Sequence, residues 1–253
     1  VVTAMNAAAL WIISAFMSKA QLSFSSGVIF FLTGGFIGHG IARYLQFTGL
    51  RQIGAARNTT IIAGASAFLG VAIAAVFLHE KPTVPIALGV AALMAGVALL
   101  AHESRKTKWN MIYLLTPLGA ALLSSIMSSL YKAGLNAIPD AFLAGAIGMT
   151  AALFAMLLFL IPEARNNKLP QNAIIKKALP LFAIAGAINT VGVILNFEAL
   201  KLGQVSVVHP ILNSQPLFAT LYGYLFLKQH EKINLHVVLG AAAVVAGIAL
   251  IRH

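Results

Sequence analysis

The stretch LGVAALMAGVALL at residues 88–100 returns as LGAAAVVAGIALI at residues 239–251, an offset of 151. Both copies keep their glycines in register, Gly89 and Gly96 in the first and Gly240 and Gly247 in the second. Both are apolar throughout, and their small residues would let helices approach closely in a bilayer. A match of this length so far along the chain indicates a duplicated helical unit.

The duplication extends outward from this pair. Two more segments match at nearly the same offset: FTGLRQIGAA (47–56) with FEALKLGQVS (197–206), and AVFLHEK (75–81) with YLFLKQHEK (224–232). The acids of the charged turns, Glu80 and Glu231, stand at predicted helix ends, and we interpret them as structural. The matched segments lie between residues 47 and 100 in the first half and between residues 197 and 251 in the second.

The two copies differ in length near their beginnings. MSKAQL (17–22) matches LYKAGL (130–135) at an offset of only 113. The first copy is therefore short by about one helix and a loop, which would lie between Lys19 and Ser26. We divide the chain into a first repeat at 1–108, which lacks its second helix, and a second repeat at 109–253.

Composition places the chain in a membrane. Of its 253 residues, 60% are hydrophobic and 9% charged, whereas a soluble domain has about 45–50% and about 25%. Cysteine is absent, which excludes disulfide scaffolds and thiolate chemistry. The net charge is +11, but the basic residues stand between apolar runs, where they suit membrane orientation better than nucleic-acid binding.

Nine apolar runs are long enough, at about 20 residues each, to be membrane helices. They lie near 3–20, 26–50, 55–78, 84–101, 111–131, 141–161, 178–200, 205–227 and 234–251. None shows the alternation of a transmembrane strand. The fold predicted is an all-α polytopic membrane protein of two homologous, inverted five-helix repeats, with ten spans in the intact design and nine visible here.

The first run is predicted to be a membrane helix rather than a cleaved signal peptide. It has no basic segment before it, and it carries Asn6 and Trp11 in its apolar part. The chain begins with Val1 and Val2 instead of Met. We therefore expect further residues upstream.

The repeat motifs resemble the EamA group of the drug/metabolite transporter superfamily. FLHEK (77–81) and FLKQHEK (226–232) each precede a Gly-rich closing helix, and GHGIARYLQFTGLRQIGAAR (38–57) resembles the third helix of that group. The resemblance implies a multi-pass protein of the inner, cytoplasmic membrane that moves a small molecule, is surrounded by lipid and needs no cofactor.

The orientation in the membrane has two readings. Most Lys and Arg residues fall on the side of the loops at 102–110 and 162–177, which the positive-inside rule places in the cytoplasm with the C-terminus outside. The resembled family implies that both termini are cytoplasmic. The two indications disagree, so both orientations stay open.

Polar residues inside spans are costly and usually face a bundle interior or a wet cavity. On a regular helix His39, Arg43 and Gln46 would share one face. The matching helix of the second repeat carries Asn189 and Asn196 at the positions of His39 and Gln46. We predict that these side chains line a central cavity between the two repeats.

Three other spans contribute candidate cavity residues: His209 and Asn213, Tyr131, and Trp11. Pro210 and Pro216 should kink the span that carries His209. The Ser and Thr stripes, such as Ser124 and Ser128, are better explained as packing contacts between helices. His39 with Arg43 is better explained by function, because a buried Arg must snorkel or find a partner.

The charges limit the cargo. None of the six acids lies in the middle of a span, so a lipophilic cation would lack a counter-charge. Arg43 suits a zwitterionic or anionic metabolite, because guanidinium binds a carboxylate through two hydrogen bonds. Glu198 could pair with Lys201 or act as the counter-charge of Arg43. His39 or His209 could serve proton coupling, since imidazole titrates near neutral pH.

The sequence leaves four functions to distinguish. The first is a secondary transporter, an exporter, of a small polar metabolite such as an amino acid, working by alternating access. The second is a drug or lipophilic-cation exporter. An intramembrane enzyme is disfavoured because no HExxH, GxSxG or paired-carboxylate motif appears. A non-transporting scaffold would tolerate substitution of Arg43 and His209. No metal site is predicted, and oligomeric state is not readable.

Overall fold

The computed structural model describes residues 2–18, 25–100, 110–165, 172–226 and 235–252. All secondary structure in these ranges is helical. The elements are α1 (Val2–Met17), α2 (Ser26–Gly34), a π-helical segment (Gly35–Ala42), α3 (Arg43–Ile53), α4 (Ala55–Phe77), α5 (Val84–Leu100), a 3₁₀ turn (Met111–Leu114), α6 (Leu115–Ala137), α7 (Ala141–Arg165), α8 (Asn172–Leu202), α9 (Val205–Leu212), α10 (Gln215–Phe226) and α11 (Leu235–Arg252).

The predicted all-α, multi-pass class is confirmed. Five apolar stretches are long enough to cross a membrane within the described ranges: Ser26–Ile53, Arg57–Phe77, Met111–Ala137, Ala141–Ile161 and Ala178–Leu202. The apolar helices Val2–Met17, Val84–Leu100 and Val238–Arg252 are shorter. Large apolar side chains point outward, with Phe16 85% and Leu202 82% exposed. Such a surface is typical of a protein in lipid.

The inverted ten-span arrangement stays a prediction. The position of the missing second helix, between Lys19 and Ser26, falls mostly outside the described residues. Where the structure describes the nine predicted spans, they are helical, although two of them are irregular: the second contains the π-helical segment, and the eighth breaks between α9 and α10.

Packing groups the helices into two compact units. The first unit consists of Val1–Tyr44 and Leu130–Gly203, and the second of Leu45–Ser129 and Gln204–His253. Each unit therefore takes helices from both halves of the sequence. Division by packing thus differs from division by repeat, and the repeats at 1–108 and 109–253 stay a prediction.

In the first unit α7 is the central helix, in contact with α1, α2, the π-helical segment and α8. Its buried face is lined by small residues, including Ala144, Ala152 and Ala155. A Cβ atom added to Gly35 would overlap the backbone carbonyl of Gly148. The π-helical segment therefore approaches α7 backbone to backbone, as small residues allow in membrane helices.

In the second unit α5 packs along α11, the two helices that carry the Gly-rich repeat. A Cβ on Gly89 would lie 2.6 Å from the carbonyl oxygen of Gly247, and one on Gly96 would lie 2.7 Å from that of Gly240. The early glycine of each helix meets the late glycine of the other, so the helices run antiparallel. The repeated motif therefore packs against its own second copy.

Two charged side chains cap helix ends, one at the C-terminus of α8 and one at the N-terminus of α9. In the first unit, Lys132 Nζ donates to the carbonyl oxygens of Leu200 at 2.8 Å and Gly203 at 2.8 Å, at the negative end of α8. In the second unit, the Glu80 carboxylate accepts from the backbone N–H groups of Val205 and Ser206, both at 2.8 Å. The structural role predicted for Glu80 is thus confirmed, whereas Glu231 lies outside the described residues.

Candidate functional site

The π-helical segment carries His39, and Arg43 follows it directly as the first residue of α3. The His39 and Tyr131 rings have centroids 6.0 Å apart. Arg43 lies close enough to both rings for its charge to act on them. We call His39, Arg43 and Tyr131 the Arg43 cluster. All three residues belong to the first unit.

The Arg43 cluster contains buried polar atoms with no hydrogen-bond partner among the described residues. They are His39 Nε2 and Tyr131 Oη. Asn196 Oδ1 is buried in the same condition, and its neighbour Phe197 packs its ring 4.5 Å from that of Tyr131. A buried polar group without a partner costs about 1–3 kcal/mol. Such atoms suit a ligand or ordered water that completes their hydrogen bonds.

Arg43 also lacks an acidic partner within the described part of the chain. One of the two roles predicted for Glu198 was that of a counter-charge for Arg43. In the structure Glu198 instead pairs with Lys201, and the two charged groups lie 3.5 Å apart. Both side chains of that pair are about one-third exposed, 34% and 32%. The pair therefore fits the alternative in which Glu198 serves Lys201 at a helix end.

Two other predicted site residues have hydrogen-bond partners within the first unit. The side-chain amides of Asn189 and Asn6 lie 2.5 Å apart, and the Thr190 hydroxyl lies 3.1 Å from the Asn6 amide. Trp11 Nε1 donates to Thr150 Oγ1 at 2.8 Å. Asn189 and Trp11 therefore join α1 to α8 and α7 as packing contacts.

His209 is buried in the second unit with both ring nitrogens engaged. Nδ1 lies 2.8 Å from Ser128 Oγ and Nε2 lies 3.3 Å from Ser125 Oγ. Ser124 Oγ lies 3.2 Å from Ser66 Oγ, beside this site on α6. The serine stripe of α6 thus joins helices, as the packing interpretation predicted.

The second unit contains a cavity of about 160 Å³ where α9 breaks from α10. Among its lining residues are two predicted site residues, Gln46 and Asn213. The predicted kink is confirmed as a break: α9 ends at Leu212, and Asn213 Nδ2 turns back to donate to the His209 carbonyl at 2.8 Å. Broken membrane helices are frequent places for transporter binding sites.

The sequence did not reveal two features of these sites. The π-helical segment Gly35–Ala42 interrupts the regular spacing that placed His39, Arg43 and Gln46 on one face, and Gln46 lines the cavity of the second unit instead. Gln215 also lines that cavity. It was not selected from the sequence, because a single polar residue at the start of α10 is not part of a helical repeat of polar positions. In the described ranges, no group of three or more His, Asp or Glu residues could hold a metal ion.

Comparison with solved structures supports the helical fold. Twenty-five chains of solved structures match, and one described only as a protein crystal structure has a TM-score of 0.66. That match covers 98% of this chain and 95% of the other at 17% sequence identity, and so shows the fold alone. No curated protein matches the sequence.

A family model supplies the identity. The model of the EamA-like transporter family matches residues 110–252, which is more than half of the chain. The apolar helices long enough to cross a membrane agree with that family. The chain belongs to the EamA-like transporter family of the drug/metabolite transporter superfamily, and its family points to a multi-pass membrane transporter rather than an enzyme.

Proposed function

We propose that this protein is a secondary transporter of a small polar metabolite, such as an amino acid, and that it works in the cytoplasmic membrane by alternating access. The observation that supports this proposal is the Arg43 cluster. His39 Nε2 and Tyr131 Oη are buried without a partner in the described residues, and Arg43 has no described acid beside it. Polar groups in a membrane protein's interior commonly mark a substrate path.

The charge of the cluster favours a cargo that carries a carboxylate. Arg43 supplies parallel N–H donors that match the two oxygens of a carboxylate. His39 and Tyr131 add further hydrogen-bonding atoms within the same unit. A lipophilic cation would meet a guanidinium here and no described counter-charge, so drug export is the weaker alternative.

The two histidines considered for proton coupling differ in their hydrogen-bond partners. Both ring nitrogens of His209 face serine hydroxyls, whereas His39 Nε2 has no described partner. A free ring nitrogen can exchange a proton with water or cargo without breaking a contact between helices. We therefore assign any proton coupling to His39.

The test is counterflow of labelled solutes in proteoliposomes, which detects transport in either direction. The panel contains amino acids, small organic acids and the lipophilic cation tetraphenylphosphonium. We expect a zwitterion or anion to exchange, and Arg43→Ala to reduce its flux about tenfold or more, as loss of a charged hydrogen bond of about 1.5–3 kcal/mol implies. Arg51→Ala, the same change in the same helix, should retain the flux.

Two results would count against the proposal. Wild-type flux in Arg43→Ala would remove the cluster from the transport path. Exchange of the lipophilic cation alone would favour the drug exporter. Membrane insertion and folding of each variant are checked by size-exclusion chromatography in detergent, so that a lost fold is not mistaken for a lost site.

A further inference from the structure

The cavity at the α9–α10 break is lined by neutral polar groups. Its polar lining consists of Gln46, Thr59, Asn213 and Gln215, and Ile62 and Ala63 form part of its apolar wall. All of these residues belong to the second unit. None of the lining residues is charged. The cavity therefore differs in chemistry from the Arg43 cluster.

Three of the four polar side chains keep unused hydrogen-bonding capacity. Among the described residues, neither the Gln46 nor the Gln215 side-chain amide has a hydrogen-bond partner. Asn213 uses Nδ2 to donate to the His209 carbonyl, which leaves its Oδ1 without a described donor. The cavity thus presents both amide donors and amide acceptors.

This lining selects by charge. An ion that enters loses part of its hydration and finds no opposite charge among the lining residues, which is unfavourable. A carboxamide or hydroxyl carries a donor and an acceptor together and can satisfy both kinds of free group. The apolar wall at Ile62 and Ala63 can accept the carbon atoms that carry the group.

The size selects as well. A cavity of about 160 Å³ is smaller than the roughly 300–1,000 Å³ of pockets that hold drug-sized ligands. It can hold a small solute or one functional group of a larger one. A bulky lipophilic cation fits neither its volume nor its chemistry.

We propose that this cavity is a recognition site for an uncharged hydrogen-bonding group, a carboxamide or a hydroxyl, on the transported solute. The proposal rests on the proposed function in that the occupant is the cargo. The α9–α10 break supports it, because Asn213 lies in the break, Gln215 begins α10 just after it, and both residues line the cavity.

The test compares matched neutral and anionic solutes on the purified full chain in detergent. Binding of glutamine with glutamate and of asparagine with aspartate is measured by isothermal titration calorimetry, and all four solutes keep the α-carboxylate that Arg43 would bind. We expect the neutral member of at least one pair to bind about tenfold more tightly than its acid. Gln46→Leu should reduce that preference to about twofold or less, and Gln52→Leu, the same change in α3 outside the cavity, should keep it.

Gln215→Leu is a second variant, at an exposed position, in case Gln46→Leu does not fold. Equal or tighter binding of the acids in every pair, or no binding of any member, would overturn the proposal. A preference that survives both cavity variants would also overturn it. Counterflow of the same pairs separates this outcome from the transport question. Flux of acids without neutral preference refutes the cavity proposal alone. Neutral binding without any flux refutes the proposed transport, and with it the identification of the cavity's occupant as the cargo.

Discussion

His39 and His209 are the same residue type in predicted spans, yet their surroundings differ. His209 has Ser128 Oγ at 2.8 Å from one ring nitrogen and Ser125 Oγ at 3.3 Å from the other. His39 has a buried Nε2 without a described partner. The difference teaches that a polar residue in a membrane helix is a candidate ligand only after its hydrogen-bond partners have been counted.

The neighbours reinforce the contrast. The ring of His209 packs so closely on Gly70 of α4 that a Cβ there would overlap it. His39 instead stands beside the charge of Arg43 and the ring of Tyr131. His209 therefore serves helix packing, whereas His39 stays a proposed site residue.

Leucine at each histidine should separate the two roles most strongly. His209→Leu removes two hydrogen bonds and a close-packed ring, so we expect a loss of about 2 kcal/mol in unfolding free energy. His39→Leu removes a polar atom that had no described partner, so its loss should stay below about 1 kcal/mol. Unfolding in mixed micelles, titrated with sodium dodecyl sulfate and followed by circular dichroism, measures both.

If His39→Leu and His209→Leu lowered the unfolding free energy equally, the proposed difference between the two histidines would be wrong. Flux in proteoliposomes then compares the transport activity of the same two variants. His39→Leu should impair transport although it folds. His209→Leu should lose stability first, and its flux per folded molecule should change less.

Glycine-to-alanine substitutions sharpen the packing side of the comparison. In α4 a Cβ on Gly70 would overlap the His209 ring, whereas nothing lies within 4 Å of a Cβ on Gly64. We expect Gly70→Ala to cost about 1–2 kcal/mol, because the ring cannot move away from the added Cβ without disturbing its contacts with Ser125 and Ser128. Gly64→Ala should be neutral or slightly stabilising. The same micelle titration tests the pair, and indistinguishable midpoints would contradict the close contact.

Local patterns in the sequence were enough for much of the fold. Apolar runs predicted the helices, and Pro210 with Pro216 predicted the interruption that the structure shows at Asn213 and Ser214. The serine stripe of α6 was correctly interpreted as packing, because hydroxyls between close helices need no ligand. These features depend on residues within a few turns of one another.

Contacts between residues far apart in the chain could not be predicted from the sequence. Glu80 caps α9 from 125 residues away, and no spacing rule predicts its partner. The π-helical segment was not predicted because Gly35–Ala42 has the composition of any small-residue helix, and the sequence does not show its close packing on α7. The sequence predicted one cavity lined by all the candidate residues. The structure separates them by their hydrogen bonds: the side chains of Trp11, Asn189 and His209 have partners. His39, Tyr131 and Asn196 each have a buried polar atom without a partner among the described residues.

The smallest stability effect belongs to the hydroxyl of Tyr131. Because Oη is buried without a described partner, Tyr131→Phe should change the unfolding free energy by no more than about 0.5 kcal/mol, or raise it. Counterflow should nevertheless fall severalfold if Oη binds cargo. Tyr44→Phe, which keeps the ring stacked 4.6 Å from Phe159, is the matched control and should leave flux unchanged. A Tyr131→Phe protein with wild-type flux would show that an unsatisfied atom alone does not identify a substrate ligand. The case for His39 would then depend on Arg43.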